Sequence, residues 1–429
     1  MKLAIFEDGL FEQFYPLTYM RPVFDLRCGR TTLREKIERA FGRKADALFV
    51  RDWLREVCAA RESTPVNCPG APEALKGDDL VLVNGRCLWL SGAPAPGRDA
   101  CGMVGDQVAW VALTRQTAAT VQAPDVAGFL AAAVKATRAE KTEIKLLGYP
   151  WHLIEENASA IRDDFKRLGK SGIAGTLAEG AIIWGPKDQV YIAPGSVVEP
   201  CAVIDTQEGP VIIDEKVTVN PHTRIQGPAS IGRGAILFGG KIREGTTIGP
   251  VCRVGGEVEE SIIHGYSNKY HDGFLGHAYV CEWVNLGALT TNSDLKNDYG
   301  TVEVKMKGRL MDTGSAKVGC FIGDHTKTSI GTLINTGTII GMMSNVLGAG
   351  HLLPKSVPSF AMFMEGRFFK AGIKHLTETA RTAMGRRKVQ MSPQEEALLK
   401  FLFDLTKDER DELIKKSRKE MMVEKGLRT

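Results

Sequence analysis

Three observations predict a three-part chain: an α/β N-terminal domain, a left-handed parallel β-helix of hexapeptide repeats, and a helical C-terminal tail. Small aliphatic residues recur every six positions between about Gly180 and Phe360. Before that stretch, short apolar runs alternate with a helical pattern; after it come a capping signature and a leucine stripe. At 429 residues the chain exceeds one ordinary core. The divisions read from pattern and composition are 1–145 for the α/β domain, 146–179 for a helical linker, 180–360 for the β-helix and 361–429 for the tail.

In the α/β domain, Leu3–Phe6 and Leu80–Val83 are apolar runs bounded by charged or turn residues, as buried strands are. Between them Leu33, Ile37 and Phe41 share one helical face, and Thr32 with Glu35 forms a capping box for that helix. Pro94–Gly97 reads as a loop. Trp151 to about Leu168 reads as one amphipathic connector helix.

The repeat then takes over. One run is Ile213, Val219, Ile225, Ile231 and Leu237; after a slip of one residue it resumes at Ile242, Ile248 and Val254. Phe274, Val280 and Leu286 make a third run. Ile322, Thr328, Ile334, Ile340, Val346 and Leu352 make a fourth. Neither helix nor ordinary strand has a period of six. It is the spacing of a triangular solenoid in which each short strand lends one residue to a central stack. Glycines at the corners suit the positive φ needed there.

In the tail, Ser392, Pro393 and Glu395 form a capping box with proline at the first helical position, and Thr406 opens a further helix. Leu398, Leu399, Leu402 and Leu405 form a stripe that reads as core or oligomer contact. Lys415 to Lys419 is a solvated face.

Composition excludes some function classes. A net charge of +4 is small for this length and makes no case for nucleic acid. No stretch approaches the ~20 apolar residues that span a bilayer, so no membrane partner is expected. The N-terminus lacks the basic-then-apolar run of a signal peptide. Nine cysteines without CxxC pairs point to reduced thiols and a cytoplasmic setting, and nothing has metal-ligand spacing.

Polar residues crowd into one interruption of the repeat, from His264 to Gly300, followed by a loop at 301–316 carrying Lys305, Lys307 and Arg309. A packed solenoid has no internal pocket, so a site must lie on its face, in a groove formed with a long loop or a neighbouring subunit. Open ends and flat sides favour closed assembly, commonly threefold, and a homotrimer is expected.

Two stretches carry a resemblance. One is Tyr15-Pro16-Leu17-Thr18-Tyr19-Met20-Arg21-Pro22 continuing to Asp25-Leu26-Arg27-Cys28-Gly29. The other is Gly287 to Gly300 with Gly323-Asp324-His325-Thr326-Lys327-Thr328. The C-terminal half resembles the acetyltransferase half of the bifunctional bacterial enzymes that make UDP-N-acetylglucosamine. The whole chain resembles a divergent group of sugar nucleotidyltransferases of that type.

The resemblance implies acyl transfer from acetyl-CoA to the amine of a hexosamine 1-phosphate. A protonated amine must lose a proton to attack a thioester, and histidine is suited to take it. The resemblance places that base on His271, with His277 one strand on as a second candidate lining the same groove; His264 and His325 are weaker candidates. An oxyanion donor is expected at the Gly287–Ala288 turn, where the matching alanine touches the coenzyme. Asn285 matches a sugar-binding position. Asn292 is a further substrate candidate, Lys296, Lys269 and Arg243 are candidates for the sugar phosphate, and Ser329 lies near an acyl-CoA serine. Three positions depart from the family pattern: the Lys-to-His spacing is shortened at Lys269-Tyr270-His271, Phe274 stands for a tyrosine, and Leu289 stands for a glycine. These leave the acceptor sugar open.

For the N-terminal domain the resemblance implies nucleotidyl transfer on a nucleoside triphosphate, which needs a glycine-rich phosphate loop, basic side chains and a carboxylate-held Mg²⁺. Here one loop glycine, Gly9, survives, and Asn84-Gly85-Arg86 replaces the strand-end aspartate. Arg21 and Arg27, with Arg30, are the candidate phosphate cluster; the alternative is that they tie strands and loops by ion pairs. Mg²⁺ is expected only if this domain is active. Three functions stay open: a hexosamine-1-phosphate N-acetyltransferase, a sugar-1-phosphate nucleotidyltransferase that the β-helix trimerises, and a non-catalytic sugar-nucleotide-binding scaffold.

Overall fold

The computed structural model describes residues 1–67, 75, 77–91, 96–121 and 126–424. Part of the expected loop at Pro94–Gly97 lies outside the described residues. The chain forms two compact units. The first holds residues 1–14, 20–27 and 31–149, and the second holds 15–19, 28–30 and 150–429.

The first unit is built on a six-stranded sheet. Its order is Ala47–Phe49, Lys2–Phe6, Leu80–Asn84, Gln107–Leu113, Ala100–Val104, Arg138–Lys141. The first three strands are parallel, and Gln107–Leu113 runs antiparallel to both its neighbours. Ala4, Phe6, Phe49, Leu82 and Val111 pack together with Phe129 and Ala133 of the helix Val126–Lys135. Helix Leu33–Ala40 begins with the Thr32–Glu35 capping box expected of it.

The second unit contains the β-helix. Ten short strands from Gly172–Ile173 to Ser356–Val357 stack in parallel along one face. The stack is filled by Ile213, Val219, Ile225, Ile231, Leu237, Ile242, Ile248 and Val254, each essentially inaccessible. Two positions differ from the expected register. Leu275 and Leu353 are buried, while Phe274 is only half-buried and Leu352 is exposed. Both lie where a coil is irregular, so the inward position shifts by one. Expected corner glycines are also replaced: Val251, Tyr266, Trp283, His325, Met343 and Phe360 all take positive φ.

Three further differences appear. The connector is two helices, Pro150–Glu155 and Asn157–Leu168, broken at Glu156. The loop at 301–316 is a hairpin pairing Glu303–Met306 with Arg309–Asp312. The tail is three helices, Ile373–Gly385, Pro393–Leu405 and Lys407–Glu424. Leu398, Leu399 and Leu402 are buried as expected of the stripe, but Leu405 is exposed. Helix Lys407–Glu424 packs on the terminal hairpin of the solenoid, with Ser417 accepting from the Phe368 amide and Ile414 joining the solenoid core. Among the described residues no helix is long and apolar enough to cross a membrane.

Candidate active site

A groove of about 1030 Å³ lies in the second unit between one solenoid face and helix Ile373–Gly385. On the solenoid side it is lined by Tyr270, His271, Asn285, Gly287 and Ala288; on the helix side by His375, Glu378, Thr382 and Arg386. Thus His271, Asn285 and Ala288 are brought together. His271 is exposed, and among the described residues its ring has no hydrogen-bond partner, only an edge contact with the Tyr270 ring at 4.9 Å between centroids.

The turn beside it is set by close approach. A Cβ on Gly287 would lie 2.5 Å from the Ser329 backbone, so only glycine fits. The Gly287 N–H donates to Thr328 Oγ1 at 3.0 Å, whereas that of Ala288 has no acceptor among the described residues. Of the two expected oxyanion donors, Ala288 alone is available. Asn285 accepts from Asn268 Nδ2 at 3.1 Å, and Asn268 Oδ1 accepts from Arg387 at 2.8 Å.

The other expected site residues lie elsewhere. A step of six residues moves to the next face of a triangular coil, so His277 does not share the groove. It lines a small cavity with Trp151, Glu260 and Lys317. Its Nε2 meets Glu260 at 2.7 Å and its Nδ1 meets Asp294 at 2.8 Å. Burial alone would lower its pKa, but the hydrogen bonds and charges of those carboxylates prevail and raise it to about 9. A histidine held as imidazolium is no general base.

Lys269 and Asn292 occupy inward positions of the stack, in register with Val254 and Ile334. Lys269 Nζ donates to the carbonyls of Gly255 and His271 at 2.9 and 3.1 Å, and burial lowers its pKa to about 8. It therefore anchors the His271 backbone from inside. The Asn292 amide bonds both the N–H and the C=O of Gly276. Arg243 pairs with Glu259 at 2.7 Å. Lys296 bonds Asp298 and the Thr301 carbonyl in a separate cavity of about 280 Å³. Ser329 stands beside the groove, its hydroxyl turned to the Ile330 carbonyl and Thr332.

Sequence reasoning missed Arg253, Lys327, Arg386 and Arg387, which also line the groove. The adjacent pair Arg386-Arg387, followed by Lys388 with no acid nearby, was the available signal. Lys327 repeats the device of Lys269: its ammonium bonds the Trp283 and His325 carbonyls, and burial lowers it to about 8.

In the first unit, the acids at the strand ends are occupied. Asp8 receives Arg86 at 2.6 Å and Asn84 at 2.8 Å, and Glu7 receives Arg51 at 2.5 Å. Arg51 also lies over the rings of Phe11 and Trp53. Arg21 is buried within electrostatic reach of Asp25, and Arg27 is half-buried. Arg30 belongs to the second unit, bonded to Asp214 at 3.0 Å. No group of three or more metal-ligating side chains occurs among the described residues.

Residues 3–172 match the sugar nucleotidyl transferase family. The chain is also 34% identical over 150 residues to a bifunctional sugar-1-phosphate nucleotidylyltransferase/acetyltransferase of Sulfurisphaera tokodaii, covering 32% of this chain and 35% of that one. It is 24% identical over 195 residues to the bifunctional protein GlmU of Heliobacterium modesticaldum, covering 41% and 38%. The chain thus spans well under half the length of these bifunctional relatives. A solved UDP-N-acetylglucosamine acyltransferase of Francisella novicida aligns over 58% of this chain and 87% of that one, at 16% identity and a TM-score of 0.23.

Proposed function

We propose that the chain is a transferase of sugar-nucleotide synthesis whose groove moves an acetyl group from acetyl-CoA to the amine of a hexosamine 1-phosphate. The observation that carries this reading is one groove holding an accessible imidazole, His271, beside an unused backbone donor, Ala288 N–H. The bifunctional names of the relatives support it.

The steps follow from the residues. The ammonium gives one proton to solvent, and as the freed amine attacks the thioester carbon and the C–N bond forms, His271 takes a second proton from the nitrogen. The carbonyl electrons move to oxygen, where Ala288 N–H stabilises the charge. Collapse breaks the C–S bond, and the thiolate takes the proton held by His271. Lys269 keeps the His271 backbone in place from within the stack. Asn285, tied through Asn268 to Arg387, is positioned to bond the sugar. We take the assembly to be a homotrimer in the cytoplasm.

The family match over residues 3–172 favours a second reading, nucleotidyl transfer by the first unit with Mg²⁺. It requires Asp8 to leave Arg86, because a carboxylate held by a guanidinium is a poor metal ligand.

The test is release of CoA from acetyl-CoA with a panel of amino-sugar 1-phosphates, comparing the wild type with His271→Ala. Turnover with one sugar, cut at least ~100-fold by the substitution, is expected. No turnover with any sugar in the folded protein, together with pyrophosphate release dependent on Mg²⁺, would replace the first reading by the second.

A further inference from the structure

The groove carries charge that the chain does not neutralise. Its lining includes Arg253, Lys327, Arg386 and Arg387 against one carboxylate, Glu378. The Lys327 ammonium is engaged by carbonyls. Arg253 donates only to carbonyls, those of Gly234, Val251 and Cys252. Arg387 reaches Asn268 with one nitrogen, and its Nε is buried without a partner. Arg386 is exposed and makes no ion pair among the described residues. Burial, and then the Arg387 charge, lower the Arg253 pKa, so the two guanidiniums repel each other. Four cations set against one carboxylate in a groove suit an anion with several oxygens.

A second feature lies at the same end. Tyr266 and Trp283 line the groove at corner positions with φ of 52° and 60°, their rings stacked 4.5 Å apart. Positive φ runs along the whole corner column, from Gly234 and Val251 to His325, Met343 and Phe360, so the ring stack and not the backbone distinguishes this end. The stacked aromatic pair lies where the groove is.

We propose that this end of the groove is a subsite for a nucleoside phosphate: Arg253, Arg386 and Arg387 hold the phosphate, and the Tyr266–Trp283 stack carries the base. This deepens the acyl-transfer reading and rests on it for the use of the groove. It gives the tail a task beyond core or oligomer contact, since Arg386 and Arg387 follow directly on helix Ile373–Gly385. Two molecules present this chemistry, the phosphoadenosine end of coenzyme A and the nucleotide of a sugar nucleotide.

Calorimetric titration of the full chain with coenzyme A, pantetheine and UDP distinguishes them. Coenzyme A is expected to bind at least ~10-fold tighter than pantetheine, which lacks the nucleotide. Arg386→Glu, an exposed change that leaves the melting temperature unaltered, is expected to bring coenzyme A to the pantetheine level. Trp283→Leu is expected to weaken it as well. If UDP binds instead, and Arg386→Glu abolishes that binding, the subsite stands and the acetyl donor is wrong; the CoA-release assay then fails separately. Equal binding of coenzyme A and pantetheine without UDP binding, or nucleotide binding indifferent to Arg386→Glu, overturns the proposal. So does a folded wild type that binds neither nucleotide.

Discussion

The strand ends of the first unit and the groove of the second both gather arginines, but they treat the charge in opposite ways. At the strand ends each arginine has its carboxylate: Arg86 on Asp8, Arg51 on Glu7. In the groove Arg253 and Arg387 face carbonyls, an amide and each other. Internal neutralisation makes a rigid joint, and its energetic weight lies in the fold. Charge left without a counter-charge stores electrostatic repulsion that a bound anion relieves, and its weight lies in binding. By this contrast a cluster of basic residues marks structure in one unit and, on the proposal above, a site in the other.

The largest effect that can break this comparison lies in the first unit. Arg51→Ala leaves the Glu7 carboxylate buried without its partner, and such losses cost ~3–5 kcal/mol. Chemical denaturation should show the destabilisation directly. A change below ~1 kcal/mol would mean that the pair is no joint and that the contrast fails.

Next in size is the His277 lock, which extends internal neutralisation to the second unit. Its pKa of about 9 in the folded protein lies above the ordinary 6.5, so the folded state holds the proton more tightly. That contribution is full below pH 6.5 and disappears as the pH rises through 9. Lys269 and Lys327, lowered to about 8 from 10.5, act in the opposite sense, stabilising the fold as the pH rises from 8 to 10.5. Between pH 6.5 and 8 the His277 effect acts alone among these three, and ~1–2 kcal/mol should be lost. Thermal melts across that window should slope downward in the wild type and flatten in His277→Gln. An unchanged slope in the variant would remove the lock.

Leu289 offers a smaller effect. It is exposed at φ 61°, a conformation that costs a leucine and not a glycine. Leu289→Gly should stabilise by ~0.5–1 kcal/mol in urea titration. The smallest expected effect sharpens the comparison most. Arg386→Ala should stay within ~0.5 kcal/mol of the wild type in the same titration, because nothing in the fold depends on its charge.

The solenoid was legible because its core demands one aliphatic residue per strand, and Ile213 through Val254 supply it with a single slip of one residue, between Leu237 and Ile242. The register failed at Phe274 and Leu352, where irregular coils shift the inward position by one. The same period holds the explanation of Asn292, six residues after Leu286. A polar residue at an inward position is a core amide bonding Gly276, not a surface ligand. His271 and Ala288 were placed together through local spacing and resemblance. Arg253 and Arg387 were not, because more than a hundred residues separate them and no short motif joins a solenoid coil to a tail helix. The aromatic corners escaped notice because positive φ favours glycine, and a bulky residue there is recognised only from the backbone.

The helix wall of the groove comes roughly a hundred residues after the solenoid face it covers, and this sets an order of assembly. Each coil of a solenoid leans only on its neighbours, so the coils bearing His271 and Ala288 can form as they leave the ribosome. Roughly a hundred residues must follow before Arg387 emerges, on the order of 5–20 s of synthesis. Until then the face that holds His271 lacks its opposite wall. A nascent chain that stops short of helix Ile373–Gly385 therefore presents a folded scaffold with no enclosed groove.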